Sequence, residues 1–461
     1  MSKKHLILAL FVIFPLVVGL ACLGSAPDPT ATPVEEEVRV ITVVVTEQPT
    51  PEPTETPTEE PTPEPDLSSE GLVLLDNSLW IQEEDTVFVA FEVENITNDL
   101  VFEEINFSVF VFDAAGNEIG SDFDFTQTIY PEQTYGAVFY LYLGDESLVV
   151  DSVIVEWEYN RASQASVADM PFLPEKTLFW HSGGFPRVSG MIRNNTPQTY
   201  TDIRANIICY NTAGEIVGGG YTFVDFIPGN DYMGYSTYVD AYDDVASVRV
   251  FPDTTYSTKM IEGADFWSDV SIIDDHFYSD DWGNIMGGVI VENETDQVLK
   301  NTNVFATFYD DDGHVTTTGY IYIDLLLPNT KIGVSPWVST PPSDAITSSF
   351  DVLVFPGEVV EDYDLTSNPF VVNSTEVTGD YEDYVTVSFT NTYDKPVSEV
   401  EVYVLLFNAE DLIIGGGDTW TSEPTPAGGT TEVELWINYD SEMTIARIEA
   451  WVVPNNWTRF D

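Results

Sequence analysis

The chain has 461 residues, of which 15 are Lys or Arg and 78 are Asp or Glu, so its formal net charge at pH 7 is −63. This charge excludes a nucleic-acid-binding role, because phosphate binding requires the opposite sign. With 43% hydrophobic and 13% aromatic residues, the chain has enough apolar material for several cores. Its acidic residues are scattered, which is typical of a surface kept soluble by self-repulsion. Adaptation to salt or weak binding of divalent cations is the alternative interpretation.

The first residues have the pattern of a secretory signal. A short basic segment, Ser2 to Lys4, precedes an apolar run from Leu6 to Leu20 and the pair Ala21-Cys22. The run is too short for a comfortable membrane span. Residues 18–22 resemble the lipobox of bacterial lipoproteins, although Gly19 stands where the lipobox usually has Leu. The resemblance implies cleavage after residue 21 and a lipid on Cys22, whereas an ordinary signal peptide cut near Ala26 is the alternative.

Residues 22–66 form a low-complexity linker that we predict to be disordered. From Gln48 to Asp66 the sequence alternates Pro with Thr and Glu. Fixed proline φ angles and repelling carboxylates favour an extended polyproline-II spacer of about 60 Å. Before it, Val38 to Val45 is β-prone and either pairs as a strand or lies near the lipid. The linker is similar in composition to those of surface lipoproteins from filamentous Chloroflexota-type bacteria.

Beyond the linker, the sequence repeats itself at a period near 98 residues. The first anchor is an Asn that closes an alternating apolar run: Asn95, Asn194, Asn293 and Asn391. The second anchor is an Asp or Asn that follows a strand: Asp113, Asn211, Asp310 and Asn408. The third is a proline: Pro131, Pro228, Pro328 and Pro426. These anchors define four repeats over residues 67–160, 161–262, 263–362 and 363–461.

Each repeat contains about seven short alternating segments with turn residues every 8–12 positions, which predicts an Ig-like antiparallel β-sandwich. The fold class is therefore all-β, with four tandem sandwiches. In the strand before Asp113, we expect Val109 and Val111 to face the core and Phe112 to cover the outer face. The segments between repeats are polar, so each unit of about 100 residues is expected to fold alone.

The paired residues at the second anchor carry a family resemblance. An aromatic residue precedes the Asp or Asn in every copy: Phe112-Asp113, Tyr210-Asn211, Tyr309-Asp310 and Phe407-Asn408. This order is similar to the FxLYD family of bacterial extracytoplasmic Ig-like domains, which are often tandem and occur in lipoproteins. The family's leading Phe is replaced by Val, Ile, Ala and Val here, and two of the four acids are amides. The resemblance implies a fold and a location but no activity.

Motifs for catalysis are absent from the sequence. There is no HxxxH, CxxC, Gly-rich phosphate loop or Gly-x-Ser-x-Gly elbow, so zinc, nucleotide and serine-hydrolase sites are not indicated. If Cys22 carries lipid, Cys209 is the one remaining thiol and no intramolecular disulfide forms. We therefore predict no catalytic residues, no firm metal site and no cofactor.

Two features of the third repeat suggest ligands. Asp310, Asp311 and Asp312 could bind calcium, but they lack EF-hand spacing and the same acids suit a hairpin turn. Trp267, Tyr278 and Trp282 could stack on sugar rings, although sandwich cores use the same residues. The four anchor Asn residues are expected to hydrogen-bond the backbone of their own turns and so to determine the fold.

The sequence thus favours a lipid-anchored, extracytoplasmic structural or interaction protein that has no catalytic activity. Its expected partners are the membrane, through the N-terminal lipid alone, and an envelope polymer, a glycan or another surface protein. The alternative is a carbohydrate- or ligand-binding lipoprotein that uses the aromatic residues of the third repeat.

Overall fold

A computed structural model describes residues 39–41, 71–166, 169–181, 185–261, 269–280, 282–343, 345–360, 367–379 and 383–460. Cys22, Trp267, the signal peptide and nearly all of the linker lie outside these residues. The described chain is all-β and antiparallel. Within it no helix is long and apolar enough to cross a membrane.

Each repeat is a sandwich of a three-stranded small sheet and a larger sheet of four or five strands, called here the small and the large sheet. Repeat 1 contains β1 (Arg39–Ile41), β2 (Leu72–Glu83), β3 (Thr86–Asn95), β4 (Leu100–Phe112), β5 (Glu118–Ile129), β6 (Thr134–Tyr142) and β7 (Ser152–Gln164). Its small sheet has the order β2-β3-β6 and its large sheet β1-β7-β4-β5.

Repeats 2 and 3 share one topology. Repeat 2 contains β8 (Phe172–Trp180), β9 (Arg187–Asn194), β10 (Thr199–Tyr210), β11 (Ile216–Ile227), β12 (Tyr232–Tyr238), β13 (Asp240–Ala241), β14 (Ser247–Asp253) and β15 (Lys259–Ile261). Repeat 3 contains β16 (Val270–Ser279), β17 (Ile285–Asn293), β18 (Val298–Tyr309), β19 (Val315–Leu326), β20 (Lys331–Val334), β21 (Trp337–Val338), β22 (Ser349–Phe355) and β23 (Glu358–Val360). The small sheets have the orders β8-β9-β12 and β16-β17-β20, and the other strands form the large sheets.

Repeat 4 closes the series with the same plan. It contains β24 (Phe370–Thr378), β25 (Tyr384–Asn391), β26 (Val397–Phe407), β27 (Ile413–Thr421), β28 (Thr430–Trp436), β29 (Asn438–Tyr439) and β30 (Arg447–Phe460). Its small sheet is β24-β25-β28 and its large sheet β29-β27-β26-β30. In all four large sheets a register shift falls just before the second anchor, at Val111/Phe112, Cys209/Tyr210, Phe308/Tyr309 and Leu406/Phe407.

The predicted assignment of faces in β4 is confirmed. Val109 and Val111 are fully buried in the core of repeat 1, and Phe112 lies half-buried on the outer face. Ile207 and Cys209 occupy the same inward positions in repeat 2 and are also fully buried. Side-chain alternation along a strand therefore places the valine-type residues inside the sandwich.

Each repeat has a buried core of its own, and neighbouring repeats also bury residues against one another. Ile208, Tyr210 and Phe251 lie on the outer face of the large sheet of repeat 2, yet they belong to the buried cluster of repeat 1. The equivalent face of repeat 3 packs through Tyr309 against Met191 of repeat 2. Repeats therefore stack in chain order, with the large sheet of each one packed on the small sheet of the one before.

The burial of side chains along the central strand of each small sheet agrees with this stacking. The central strands β3, β9 and β17 of the first three small sheets are buried over most of their length, on both faces. In contrast, β25 of repeat 4 alternates between buried and more exposed positions, as does β4 at the other end. The two terminal sheets thus present one polar face each, as the terminal units of a repeat array must to stay soluble.

Two strands extend beyond the predicted limits of repeat 1. The last four residues of β7, Arg161 to Gln164, pair with β4, so the sandwich continues past residue 160. Three residues of the β-prone stretch, Arg39–Ile41, form β1 and pair with β7 opposite Trp157 to Val155.

Candidate functional site

The four anchor Asn side chains are fully buried and join the two sheets of each sandwich. In repeat 1, Asn95 donates from Nδ2 to the carbonyls of Leu100 (2.7 Å) and Ile129 (3.0 Å), at the start of β4 and the end of β5. Its Oδ1 accepts from the amide and hydroxyl of Thr97. Asn194, Asn293 and Asn391 make the same pattern of backbone bonds.

The second anchor caps the hairpin that follows it. Asp113 Oδ1 accepts from the amides of Ala115 (2.9 Å) and Asn117 (2.8 Å). These bonds, with that from the Asn117 side chain, hold the pKa of the Asp113 carboxyl below its ordinary value. Asn211, Asp310 and Asn408 accept two backbone amides in the same way. An amide oxygen serves as well as a carboxylate here, which explains why Asp and Asn interchange at this position.

Only two of the three predicted calcium residues lie close together. Asp310 and Asp312 lie together with His314, and one ligand atom from each falls within 4.8 Å of the others, whereas Asp311 is not part of the group. Asp310 is already engaged, because its Oδ1 accepts two amides and its Oδ2 lies 3.2 Å from His314 Nδ1. Partial burial opposes ionisation, but the hydrogen bonds from His314 outweigh it and lower the pKa of Asp310. This geometry is that of a capped turn.

The predicted aromatic residues of repeat 3 also lie in different environments. The Tyr278 hydroxyl donates to the carbonyl of Ile414 (3.0 Å) and accepts from the amide of Asp440 (3.0 Å), so it joins repeats 3 and 4. Trp282 is 88% exposed at the tip of the β16–β17 hairpin. Trp267 lies outside the described residues. Tyr278 thus lies at the interface between repeats 3 and 4. Of the described members of the trio, Trp282 alone is exposed enough to contact a ligand.

Glycines mark the places where one repeat receives the next. A Cβ atom on Gly136 would lie 2.5 Å from both Ile208 Cδ1 and Phe251 Cε2 of repeat 2. On Gly234 it would lie 2.4 Å from Thr307, and on Gly333 2.4 Å from Trp451. In repeat 4, the equivalent residue opposite β25 is the exposed Glu432. At this one position, the three copies that are covered by the next repeat have glycine, and the last copy has a charged residue.

A cleft of about 280 Å³ opens between repeats 2 and 3. Three half-exposed aromatic side chains line it: Phe223 from β11, and Tyr320 and Tyr322 from β19. The hydroxyl-bearing residues Thr222, Tyr235, Ser236, Thr318 and Ser339 complete most of the wall. Small-ligand sites often lie in clefts at domain interfaces, where aromatic side chains and placed polar groups meet.

One carboxylate is held in place within this cleft. Asp225 Oδ2 accepts from the Tyr322 hydroxyl (2.8 Å) and from Asn303 Nδ2 (3.0 Å). Both bonds use Oδ2, and neither uses Oδ1. The Tyr320 and Tyr322 rings lie edge to face with their centroids 5.7 Å apart. Asp225 is thus a positioned acceptor beside two fixed aromatic rings.

The large sheet of repeat 3 presents smaller side chains at this junction than the large sheets of repeats 2 and 4 present at theirs. Repeat 2 packs against repeat 1 through Arg204, Ile208 and Phe251. Repeat 4 packs against repeat 3 through the equivalent residues Glu401, Leu405 and Trp451. Repeat 3 has Asn303, Thr307 and Leu353 at the equivalent positions. At the first junction Arg204 fills the space, stacking 4.2 Å over the Tyr221 ring and pairing with Asp124 at 2.6 Å. Asn303 is too short to do the same.

Buried carboxyls lie at the other two junctions. Burial raises the pKa of Asp253 to about 8, even though the amide of Gln127 in repeat 1 donates to it at 3.0 Å. Burial also raises the pKa of Glu401 to about 8, and the Tyr403 hydroxyl donates to this carboxyl. Burial likewise raises the pKa of the Cys209 thiol to about 12, which makes it unreactive at neutral pH.

No known family model matches the chain, and no curated protein matches it.

Proposed function

We propose that this chain is a lipid-anchored surface protein whose four stacked sandwiches act as a stiff, non-catalytic spacer and interaction module. The observation that carries the proposal is the burial of β3, β9 and β17 on both faces. Domains joined only by linkers move independently by default, whereas large apolar interfaces oppose that motion. A stack of this kind holds its terminal repeat at a fixed distance from its first.

Support for the anchor comes from the sequence. Cys22 follows a secretory signal, and an extended acidic spacer follows Cys22. The resemblance to extracytoplasmic FxLYD domains agrees with export. The net charge of −63 repels anionic head groups, which favours a protein that stands away from the membrane and meets an envelope polymer, a glycan or another surface protein.

The experiment uses the two cysteines as a matched pair. An epitope inserted at the exposed Ala409–Glu410 turn of repeat 4 should be detected on intact cells. Cys22→Ser should move the protein from the detergent phase to the aqueous phase, and Cys209→Ser should leave it anchored. Equal partitioning of both variants, or an epitope detected only after lysis, would contradict the proposal.

The second candidate function is the binding of a carbohydrate or another small ligand. The predicted trio does not supply its best support, because the Tyr278 hydroxyl bonds to repeat 4. The cleft between repeats 2 and 3 favours this function instead, since it gathers exposed aromatic rings and polar groups that packing leaves accessible.

A further inference from the structure

We propose that the cleft between repeats 2 and 3 is a binding site for a neutral saccharide. The inference rests on the second candidate function and deepens it by naming the class of ligand; it is independent of the spacer function. It rests on the aromatic wall, on the positioned Asp225 and on the smaller side chains that repeat 3 presents at this junction.

The aromatic wall is the first argument. Phe223 is 50% exposed, Tyr320 42% and Tyr322 45%, although they stand on strands that are otherwise packed at a junction. Contiguous exposed apolar patches on soluble proteins often mark ligand-binding or interaction sites. Sugar rings present flat C–H faces beside a rim of hydroxyls, which is the shape and polarity that an aromatic wall with a polar edge can cover.

The polar groups supply the second argument. Asp225 has its Oδ2 fixed by Tyr322 and Asn303, so its Oδ1 is oriented without further cost. Charged acceptors bind hydroxyl donors more strongly than neutral ones do. Ser236, Thr318 and Ser339 can both donate and accept, as the alternating hydroxyls of a sugar require.

Charge decides which saccharide fits. The chain carries a net charge of −63, and Asp202 lies close enough for Asp225 to raise its pKa, together with partial burial. An acidic glycan or a nucleotide would meet repulsion from both sources. A neutral sugar avoids this cost. The acidic stalk of this chain is disfavoured as an occupant for the same reason.

The test is isothermal titration calorimetry of the full-length chain with cellohexaose, maltohexaose and mannohexaose. Hexagalacturonate and a synthetic peptide of residues 48–66 are the acidic counterparts. At least one neutral oligosaccharide should bind with a dissociation constant of about 1 mM or below, and both acidic probes should bind at least about tenfold more weakly. No binding by any neutral probe, or tighter binding by either acidic probe, would overturn the proposal.

Variants locate the site. Tyr320→Ala should weaken binding by about tenfold or more. Asn303→Arg should abolish it, because it removes the donor to Asp225 and places at this junction the long side chain that Arg204 places at the first.

Trp420→Ala is the matched control, because it removes an exposed aromatic from β27, the equivalent strand of repeat 4, outside the cleft lining, and it should leave binding unchanged. Trp282→Ala tests the hairpin tip as the alternative site. Thermal unfolding of each variant shows that the fold is kept. Loss of binding in Trp282→Ala with retention in Tyr320→Ala would move the site to the hairpin tip and refute the cleft.

Discussion

Ile208 gives the most direct estimate of how strongly two repeats hold each other. The side chain is fully buried on the outer face of its own sandwich, and its Cδ1 lies 2.5 Å from the position that a Cβ on Gly136 would take. Ile208→Ala removes three buried carbons at about 0.8 kcal/mol each. With the cavity left behind, the expected loss of unfolding free energy is about 2–5 kcal/mol. If repeat 2 stood alone, the same face would be exposed and the cost would fall to about 0.5 kcal/mol or less.

Urea denaturation combined with hydrogen exchange measures this loss and its location. Amides of β3 and β6 in repeat 1 should lose protection together with those of repeat 2. Ile346→Ala is the matched control, because the same three carbons are removed from a side chain that is 79% exposed. The account fails if the two variants lose equal stability, or if repeat 1 keeps its protection in Ile208→Ala.

The remaining predictions concern the core, the anchors and pH. Val111→Asp should cost several kcal/mol in a thermal or urea unfolding series, because it buries an unpaired carboxylate; a tolerated substitution would reverse the assigned faces. Asn293→Ala should cost about 1–3 kcal/mol, since it leaves the carbonyls of Gln297 and Leu326, at one end of the large sheet, without this donor; a near-neutral result would remove the anchor role. The pKa of Glu401 is raised in the folded state, so its protonated form is stabilised there and its contribution falls as pH rises through about 8. Glu401→Gln should therefore flatten the loss of stability between about pH 4.5 and pH 8 by up to about 1.4 kcal/mol per pH unit; parallel curves for the two proteins would exclude this origin.

Local chemistry made the sandwiches predictable from the sequence. The capping Asp or Asn acts on backbone amides two and four residues away. Each anchor Asn joins a carbonyl four or five residues away to one 33 or 34 residues on. The period of both anchors locates each unit. Alternation in β4 assigns Val109 and Val111 to the core, because one sheet face is always buried. None of these arguments depends on what lies outside the repeat.

The stacking and the cleft were missed because they depend on partners that alternation within one strand does not reveal. Phe112 and its counterparts were expected to cover an outer face, yet Tyr210 and Phe407 are buried by the preceding repeat. A signal was present, since glycine at 136, 234 and 333 gives way to Glu432 in the last copy. Comparing the copies position by position would have distinguished the buried outer faces from the polar terminal one.

Distance measurement between repeats tests the stacked arrangement most directly. Spin labels at Ala115→Cys and Ala213→Cys would occupy equivalent exposed turn positions of repeats 1 and 2, in a Cys22→Ser background where buried Cys209 stays unlabelled. Pulsed electron–electron double resonance should give one narrow distribution of the distance between the two labels. Gly136→Glu, which places the side chain of Glu432 at the first junction, should broaden it while each sandwich stays folded. A broad distribution in the parent protein, or one that Gly136→Glu leaves unchanged, would contradict the stack.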